Sequence, residues 1–315
     1  MRRIILDTDL AMGAPGSDID DGFALALAHA DPELRLELVT TVNGNTDVES
    51  ATILTGELAR RLDLPDVPIV KGAAASFTHP EVRRTPAAHV AALADRARPP
   101  AAGYAPVEIV RHVMANPGEI TVVAIGPLTN VAAAILLEPR LAANVAEIVI
   151  MGGMFFGTMP DRDTPGEYNV WVDPESAAAV LRSGAPLRWV GLDVTQQVRL
   201  TRADAERMRD AATAFAPFAG EATLAWIEHT RRTEGGDGGS CALHDPLAVA
   251  VVAHPELVTF VDAHVSVVTG DGQARGVMIT DLLRSEHPPA PNCRVATAVD
   301  VVAFREHFLC LVGGL

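Results

Sequence analysis

The stretch Arg3-Ile4-Ile5-Leu6-Asp7-Thr8-Asp9, joined through a loop containing Gly13, Pro15 and Gly16 to Ser17-Asp18-Ile19-Asp20-Asp21, decides how the rest of the chain is read. Arg3 to Leu6 has the apolar content of a buried strand. Asp20 to Ala30 reads as a helix, because acidic residues suit its positive N-terminal end and Pro32 bars its continuation. Leu36 to Val42 is then a second strand, Asp47 to Leu62 a helix with Asp47 as N-cap, and Val67 to Val70 a third strand. This alternation is that of βα units feeding a parallel sheet.

The pattern resumes after Gly72 to Gly103, which reads as active-site loop with some helix. Helices are expected at Pro106 to Ala115, Leu128 to Leu137 and Pro174 to Arg182, with strands at Ile120 to Ile125, Glu147 to Met151 and Leu187 to Leu192. A helical region from Arg202 to about Arg232 precedes the glycine-rich break Gly235 to Gly239, and another helix covers His244 to Val252. Strand-rich segments at Val258 to Thr280 and Arg294 to Val299 lead to a last helix, Val301 to Val312. No linker of shifted composition divides the chain, so residues 1–315 are expected to form one α/β domain. Its central sheet should be open and mainly parallel, with helices on both faces.

Composition narrows the function. The chain has 315 residues, 49% hydrophobic and 21% charged, which excludes disordered and fibrous classes. Its 25 Lys+Arg against 40 Asp+Glu leave a net charge of −15, which disfavours nucleic acid and anionic membranes as partners. Lys71 is the only lysine. Cys241, Cys293 and Cys310 are odd in number and widely spaced, giving neither a disulfide framework nor a thiolate zinc site, so a cytoplasmic setting is expected. The start turns acidic after three apolar residues, too few for a signal peptide, and no apolar run approaches the ~18 residues of a membrane span.

Five carboxylates lie between Asp7 and Asp21, where the first strand meets the first helix. Ligands of open α/β sheets bind at the carboxyl ends of strands. Carboxylates so crowded repel one another unless a hard cation is bound, and an all-oxygen donor set favours Ca²⁺ or Mg²⁺ over zinc. His244-Asp245-Pro246-Leu247 offers another carboxylate beside an imidazole able to donate a proton. Glu167-Tyr168-Asn169 adds groups suited to sugar hydroxyls, and Ile125-Gly126-Pro127 falls on the same rim.

These segments carry a resemblance. Asp7-Thr8-Asp9 with Asp20-Asp21, Thr40-Thr41-Val42-Asn43-Gly44-Asn45, Gly126-Pro127-Leu128-Thr129-Asn130, Met151-Gly152-Gly153, Glu167-Tyr168-Asn169 with Asp173-Pro174-Glu175, and His244-Asp245-Pro246-Leu247 are similar, in order, to motifs of the inosine/uridine-preferring nucleoside hydrolases. The match runs from residue 3 to about 312. The resemblance implies a Rossmann-like fold and a Ca²⁺-dependent N-ribohydrolase that releases free base and ribose, with a role in nucleoside salvage and catabolism. It implies Asp9, Asp21 and Asp245 as carboxylate ligands and Ile125 as a carbonyl ligand. A water and the ribose 2′- and 3′-hydroxyls would complete the shell. Asp20 would bond the 2′-hydroxyl, with Asn45, Glu167 and Asn169 completing the sugar pocket and His89 facing the substrate. Asp7 would fix the loop as an outer partner. Homo-oligomerisation, as dimer or tetramer, is likewise implied.

Glycosidic cleavage passes through an oxocarbenium-like state, which a carboxylate-rich pocket stabilises. Asp9 would take the proton of the Ca²⁺-bound water as general base, and His244 would protonate the leaving base. The chain departs from the family twice. Leu10 to Ile19 replace a very short linker, an extra loop that would reshape the entrance or bring in Asp18. No Asn stands between Gly152 and Tyr168, where the family has Gly-Asn and this chain has Asp161 and Asp163, so 5′-hydroxyl recognition and the plain ribonucleoside substrate are open. Base preference is not encoded legibly, although Phe77, Phe155, Phe156, Tyr168 and Trp226 are candidates to stack on a base.

Two other readings exist. Ile4-Ile5-Leu6-Asp7-Thr8-Asp9 also fits a haloacid-dehalogenase-type phosphatase with Asp7 as nucleophile and Asp9 as acid, but such an enzyme needs a lysine and a later acidic metal motif. A non-catalytic Ca²⁺-dependent nucleoside or sugar binder would have no need of His244 beside Asp245.

Overall fold

The computed structural model describes the chain except residues 15, 65, 80–87, 158–163, 234, 237, 282–285 and 288, and for 88 and 89 it describes the backbone alone. The first half alternates β1 (Arg2–Thr8), α1 (Asp20–Ala30), β2 (Leu34–Thr41), α2 (Val48–Arg61), β3 (Ile69–Lys71), α3 (Ala88–Ala91), α4 (Ala105–Ala115), β4 (Ile120–Ala124), α5 (Thr129–Leu137), α6 (Leu141–Asn144) and β5 (Glu147–Met151). Then come α7 (Tyr168–Val172), α8 (Pro174–Leu181), β6 (Leu187–Val190), α9 (Leu192–Thr195), β7 (Arg199–Thr201), α10 (Arg202–Arg209), α11 (Ala216–Thr233), β8 (Ser240–Ala242) and α12 (His244–Ala253). The chain finishes with β9 (Val258–Ala263), β10 (Val265–Val267), β11 (Met278–Thr280), β12 (Cys293–Val299) and α13 (Val301–Val312).

Eight strands form one sheet in the order β3-β2-β1-β4-β5-β6-β12-β9. Every pairing is parallel except β9 against β12. Side chains alternate between the faces along each strand. Ile4, Leu6, Val123 and Val149 pack with Leu25, Leu58, Val249 and Phe304 on one face. Ile5, Val122, Ile148 and Ile150 pack with Ile109, Val131 and Val180 on the other. Helices therefore cover both faces of a mainly parallel sheet, as the alternation predicts.

Most element boundaries follow local chemistry. Asp47 caps α2 by accepting the Ser50 N–H at 3.0 Å. Three expectations need correction. The helical region from Arg202 to about Arg232 is two helices, separated over residues 210–215; Pro217 stands in the first turn of α11, where its missing N–H costs nothing, whereas a helix running through it would lose a backbone hydrogen bond. Gly220 lets α11 lie close on α10, where an added Cβ would stand 2.4 Å from the Arg209 nitrogen. The strand read as Leu187 to Leu192 ends at Val190, and Gly191 is the N-cap of α9, which takes up Leu192. The glycine-rich break leads into an unexpected two-stranded piece, β7 with β8.

Candidate active site

The sheet order places the site. From β1 the chain moves one way to β2 and β3, whereas β4 pairs on the opposite side of β1, so the carboxyl ends of β1 and β4 flank the point where strand order reverses. Asp7 pairs in register with Thr40 of β2 and Ala124 of β4. The carboxylates of the opening motif and the Ile125 carbonyl thus emerge together.

Asp7 is fixed from two strands and a helix. Its Oδ1 accepts from Thr40 Oγ1 at 2.5 Å and Asn130 Nδ2 at 2.8 Å. Asn130 also donates to the Thr41 carbonyl and accepts the Ala73 N–H, so the Gly-Pro-Leu-Thr-Asn motif ties the ends of β1, β2 and β3. Asp9 Oδ2 accepts the Asn45 N–H at 2.6 Å, while its Oδ1 is buried with no partner. Thr8 Oγ1 donates to Asp21 Oδ1, and Asn45 Nδ2 donates to Asp21 Oδ2 at 3.0 Å. Asp20 Oδ2 accepts the backbone N–H of Asp245, 225 residues away in sequence, at 3.1 Å.

Two glycines make room for Asp9. A Cβ on Gly44 would lie 2.0 Å from Asp9 Oδ2, and one on Gly126 2.8 Å from Asp9 Oδ1. Gly44→Ala is expected to displace the Asp9 carboxylate and lower kcat for ribonucleoside hydrolysis by ~10²-fold, the scale of a 1 Å misplacement. Steady-state kinetics on variant that gives a wild-type circular dichroism spectrum check this; an unchanged kcat would contradict the placement.

The carboxylates strain against one another. Asp9 is pushed up to about 7, mainly by burial and further by Asp20 and Glu167. Asp20 rises to about 7, by burial and then by Asp21. Asp21 and Asp245 are pushed well above the usual range by burial and by their acidic neighbours. Asp18, at the rim, is raised by loss of hydration and then by Asp20. One oxygen each of Asp20, Asp21 and Asp245 lies within 4.8 Å of the others. Converging buried oxygens, raised pKa values and the orphaned Asp9 Oδ1 are what a hard divalent cation would relieve, and the donor set fits one. The expected ligands Asp21 and Asp245 converge here with Asp20, while Asp9 stands beside them as their charged neighbour.

A cavity of about 490 Å³ opens over this cluster, within the usual size range for small-molecule sites. Asp20, Asn45, Ile125, Glu167, Asn169, His244 and Asp245 all line it. Asn169 Nδ2 donates to the Ile125 carbonyl at 2.9 Å. Glu167 doubles as the N-cap of α7: it accepts from Asn169 N and Val170 N, and also holds Gly153 N at 3.0 Å. Asp173 is likewise a cap, of α8, and accepts from Thr129 Oγ1 and Phe77 N. His244 Nδ1 meets Thr195 Oγ1 at 2.7 Å.

The inserted loop contributes Gly16, Ser17 and Asp18 to the cavity wall and leans on α11, where a Cβ on Gly16 would stand 3.1 Å from His229. Trp226 and His229 on α11 stack at 5.4 Å and line the cavity, with Gln196 and Thr164. Spacing carries no signal for Gln196, at the end of α9, for Thr164, in the loop before α7, or for His229, which the cavity meets only because α11 packs beside it. Of the stacking candidates, Tyr168 and Trp226 line the cavity. Phe155 is core, edge-on to Trp189. Among the described residues of 72–103 none lines the cavity. The His89 side chain, and Asp161 and Asp163, lie outside the described residues.

The phosphatase reading does not survive this geometry. Asp7 is fully buried and clamped by two hydrogen bonds, and Lys71 pairs with Glu49 at 2.6 Å on the surface, away from the cluster.

Known proteins share this fold and much of this sequence. The solved plant nucleoside hydrolase PpNRh1 superposes with a TM-score of 0.87 at 28% identity, covering 100% of this chain and 99% of that one. A purine-preferring ribonucleoside hydrolase from Gardnerella vaginalis gives 0.85 at 30% identity, covering 99% and 98%. The non-specific ribonucleoside hydrolase RihC of Salmonella agona (strain SL483) is 36% identical over 311 residues, 96% of this chain and 95% of the relative. The family model described as inosine-uridine preferring nucleoside hydrolase matches residues 4–306. With its sequence matched from the first strand into the last helix, the chain belongs to the inosine-uridine preferring nucleoside hydrolase family.

Proposed function

We propose that this site cleaves the N-glycosidic bond of ribonucleosides to free base and ribose around a Ca²⁺ ion, with Asp9 as general base and His244 as general acid. The observation that carries the reading is Asp9 Oδ1, buried and unpartnered beside the convergent Asp20, Asp21 and Asp245. Asp9, Asp21, Asp245 and the Ile125 carbonyl are the proposed ligands. An ion held there would supply positive charge that keeps these carboxylates ionised and that attracts the sugar hydroxyls.

Asp20, Asn45, Glu167 and Asn169 hold the sugar, and the surrounding acids favour the positive charge that develops on it as the C–N bond breaks. Asp9 accepts a proton from the water that attacks the anomeric carbon. The departing base takes the bond's electron pair and receives a proton from His244, whose Nδ1 is oriented by Thr195. Trp226 offers a ring face to the base. The cavity does not choose between purine and pyrimidine. We take residues 1–315 as one domain working in the cytoplasm as a homo-oligomer, in salvage or catabolism of nucleosides; the cysteines, none of them in a disulfide, suit that setting, and no helix among the described residues is long and apolar enough to cross a membrane.

Purified protein with Ca²⁺ should release reducing sugar from a panel of inosine, uridine, cytidine and adenosine. Binding of nucleoside without any release would instead make the chain a binder. His244→Gln is expected to lower kcat on inosine by ~10²-fold, yet to leave 4-nitrophenyl riboside hydrolysis nearly unchanged, because nitrophenolate departs without a proton. Equal loss on both substrates would remove His244 from the acid role.

A further inference from the structure

A second convergence of metal-binding side chains lies at the far end of the helices that carry the active site. α1 begins with Asp20 and Asp21 and is C-capped by Asp31; α12 begins with His244 and Asp245 and is C-capped by His254. Asp31, 1% exposed, extends a single oxygen, Oδ2, to two imidazoles: His254 Nε2 at 3.0 Å and His307 Nε2 of α13 at 3.2 Å. The imidazole centroids are 4.3 Å apart, and one donor atom from each of the three residues lies within 4.8 Å of the others. Asp31 Oδ1 is anchored by the Glu33 N–H at 2.9 Å. His254 Nδ1 lies 3.6 Å from Glu256 Oε1, so a carboxylate stands behind that ring.

We propose that Asp31, His254 and His307 bind a zinc-class divalent ion that joins α1, α12 and α13. Zinc holds histidine nitrogen and carboxylate oxygen at about 2.0–2.1 Å in a tetrahedron, whose donor-to-donor edge is then roughly 3.3 Å. The two Asp31–His separations fall close to that edge before any ion is bound. Two imidazoles with one carboxylate select a borderline ion, and nitrogen donors are poor ligands for calcium, so the site is chemically distinct from the all-oxygen cluster. Glu256, 3.6 Å behind His254, adds negative charge near that ring, on the side where carboxylates stand behind zinc-binding histidines. The His254 and His307 side chains are 25% and 21% exposed, which leaves a fourth position open to water.

Such an ion would fix the far ends of α1 and α12, and through two rigid helices of 11 and 10 residues would hold Asp20, Asp21 and Asp245 in mutual register. The rival explanation is a metal-free trio in which both imidazoles donate Nε2–H to Asp31.

The test uses the full chain, stripped by a chelator and dialysed against ZnCl₂ with Ca²⁺ in excess, with zinc measured by atomic emission. One zinc per chain is expected, with a rise in Tm of about 5 °C at a hundredfold excess over Kd. Asp21→Asn should keep the zinc, while His254→Gln and His307→Gln should each lose it together with the Tm rise, and Co²⁺ should give the visible absorption of a four-coordinate ion in the wild type alone. Wild-type protein that retains no zinc overturns the proposal whether or not the variants fold, and so does zinc retained undiminished by both histidine variants.

Discussion

Asp9→Asn is expected to lower kcat for ribose release from both inosine and uridine by ~10²–10⁴-fold, the range for loss of a positioned general base. The substitution is isosteric, and an amide oxygen still accepts the Asn45 N–H that now binds Oδ2. What disappears is the proton-accepting capacity of Oδ1, the buried oxygen to which the protein assigns no other partner. The loss should fall on kcat more than on KM, since Asp20, Asn45 and Asn169 still line the cavity. Asp7→Asn provides the internal contrast. Asp7 Oδ2 is also buried without a partner, but Oδ1 is clamped by Thr40 and Asn130 and Asp7 is not among the acids that act on Asp21 and Asp245, as Asp9 is, so its replacement should cost activity much less than that of Asp9. A larger loss at Asp7 than at Asp9 would reverse the roles given to the two residues.

How far the site is legible from sequence depends on how local its causes are. α1 runs from Asp20 to Ala30 as read, because its signals, two acids at the start and Pro32 after the end, sit within the helix and its flanks. α13 and β5 follow in the same way. The meeting of Asp20 with Asp245 has no local signal: it requires β4 to pair on the opposite side of β1 from β2 and α12 to pack against α1. Motif order, not spacing, brings Asp245 into the candidate set.

Glu167, Asn130 and Asp173 teach a different lesson. All three belong to motifs quoted for chemistry, yet much of their hydrogen-bonding capacity is directed at backbone N–H groups, carbonyls and hydroxyls of the scaffold. A sequence names a polar side chain but not which of its lone pairs the fold has already used. Trp226 was within reach of sequence reasoning as an aromatic in the right third of the chain; His229, one turn on, becomes visible only when α11 is seen to carry both to the cavity.

Removal of the proposed calcium is expected to suppress ribose release by at least ~10²-fold, in line with the several kcal/mol a catalytic metal supplies, and to change stability with a specific pH signature. With no cation beside them, Asp9 and Asp20 are pushed up to about 7 and Asp7 to about 6, against an ordinary 3.8, with burial the largest cause for each. A carboxyl whose pKa is higher folded than unfolded favours the folded chain while it holds its proton. That contribution is complete below about 4, declines as pH rises through the folded values, and is gone somewhat above 7. Asp21 and Asp245, also raised, act in the same direction. Chelated protein should therefore lose stability between pH 5 and 8 on account of this cluster. Ca²⁺ held by these groups, as proposed, would oppose that loss by neutralising their repulsion and would bind more tightly as they deprotonate. The difference in Tm between calcium-saturated and chelated protein, followed by scanning calorimetry, should be small at pH 5 and grow steadily to pH 8. With both samples stripped of zinc beforehand, the difference cancels titrating groups elsewhere, the His254 and His307 imidazoles included, which then contribute equally to both forms. A gap that is constant with pH, or widest at pH 5, would mean that the buried carboxylates are not the calcium ligands, even if chelation abolishes activity.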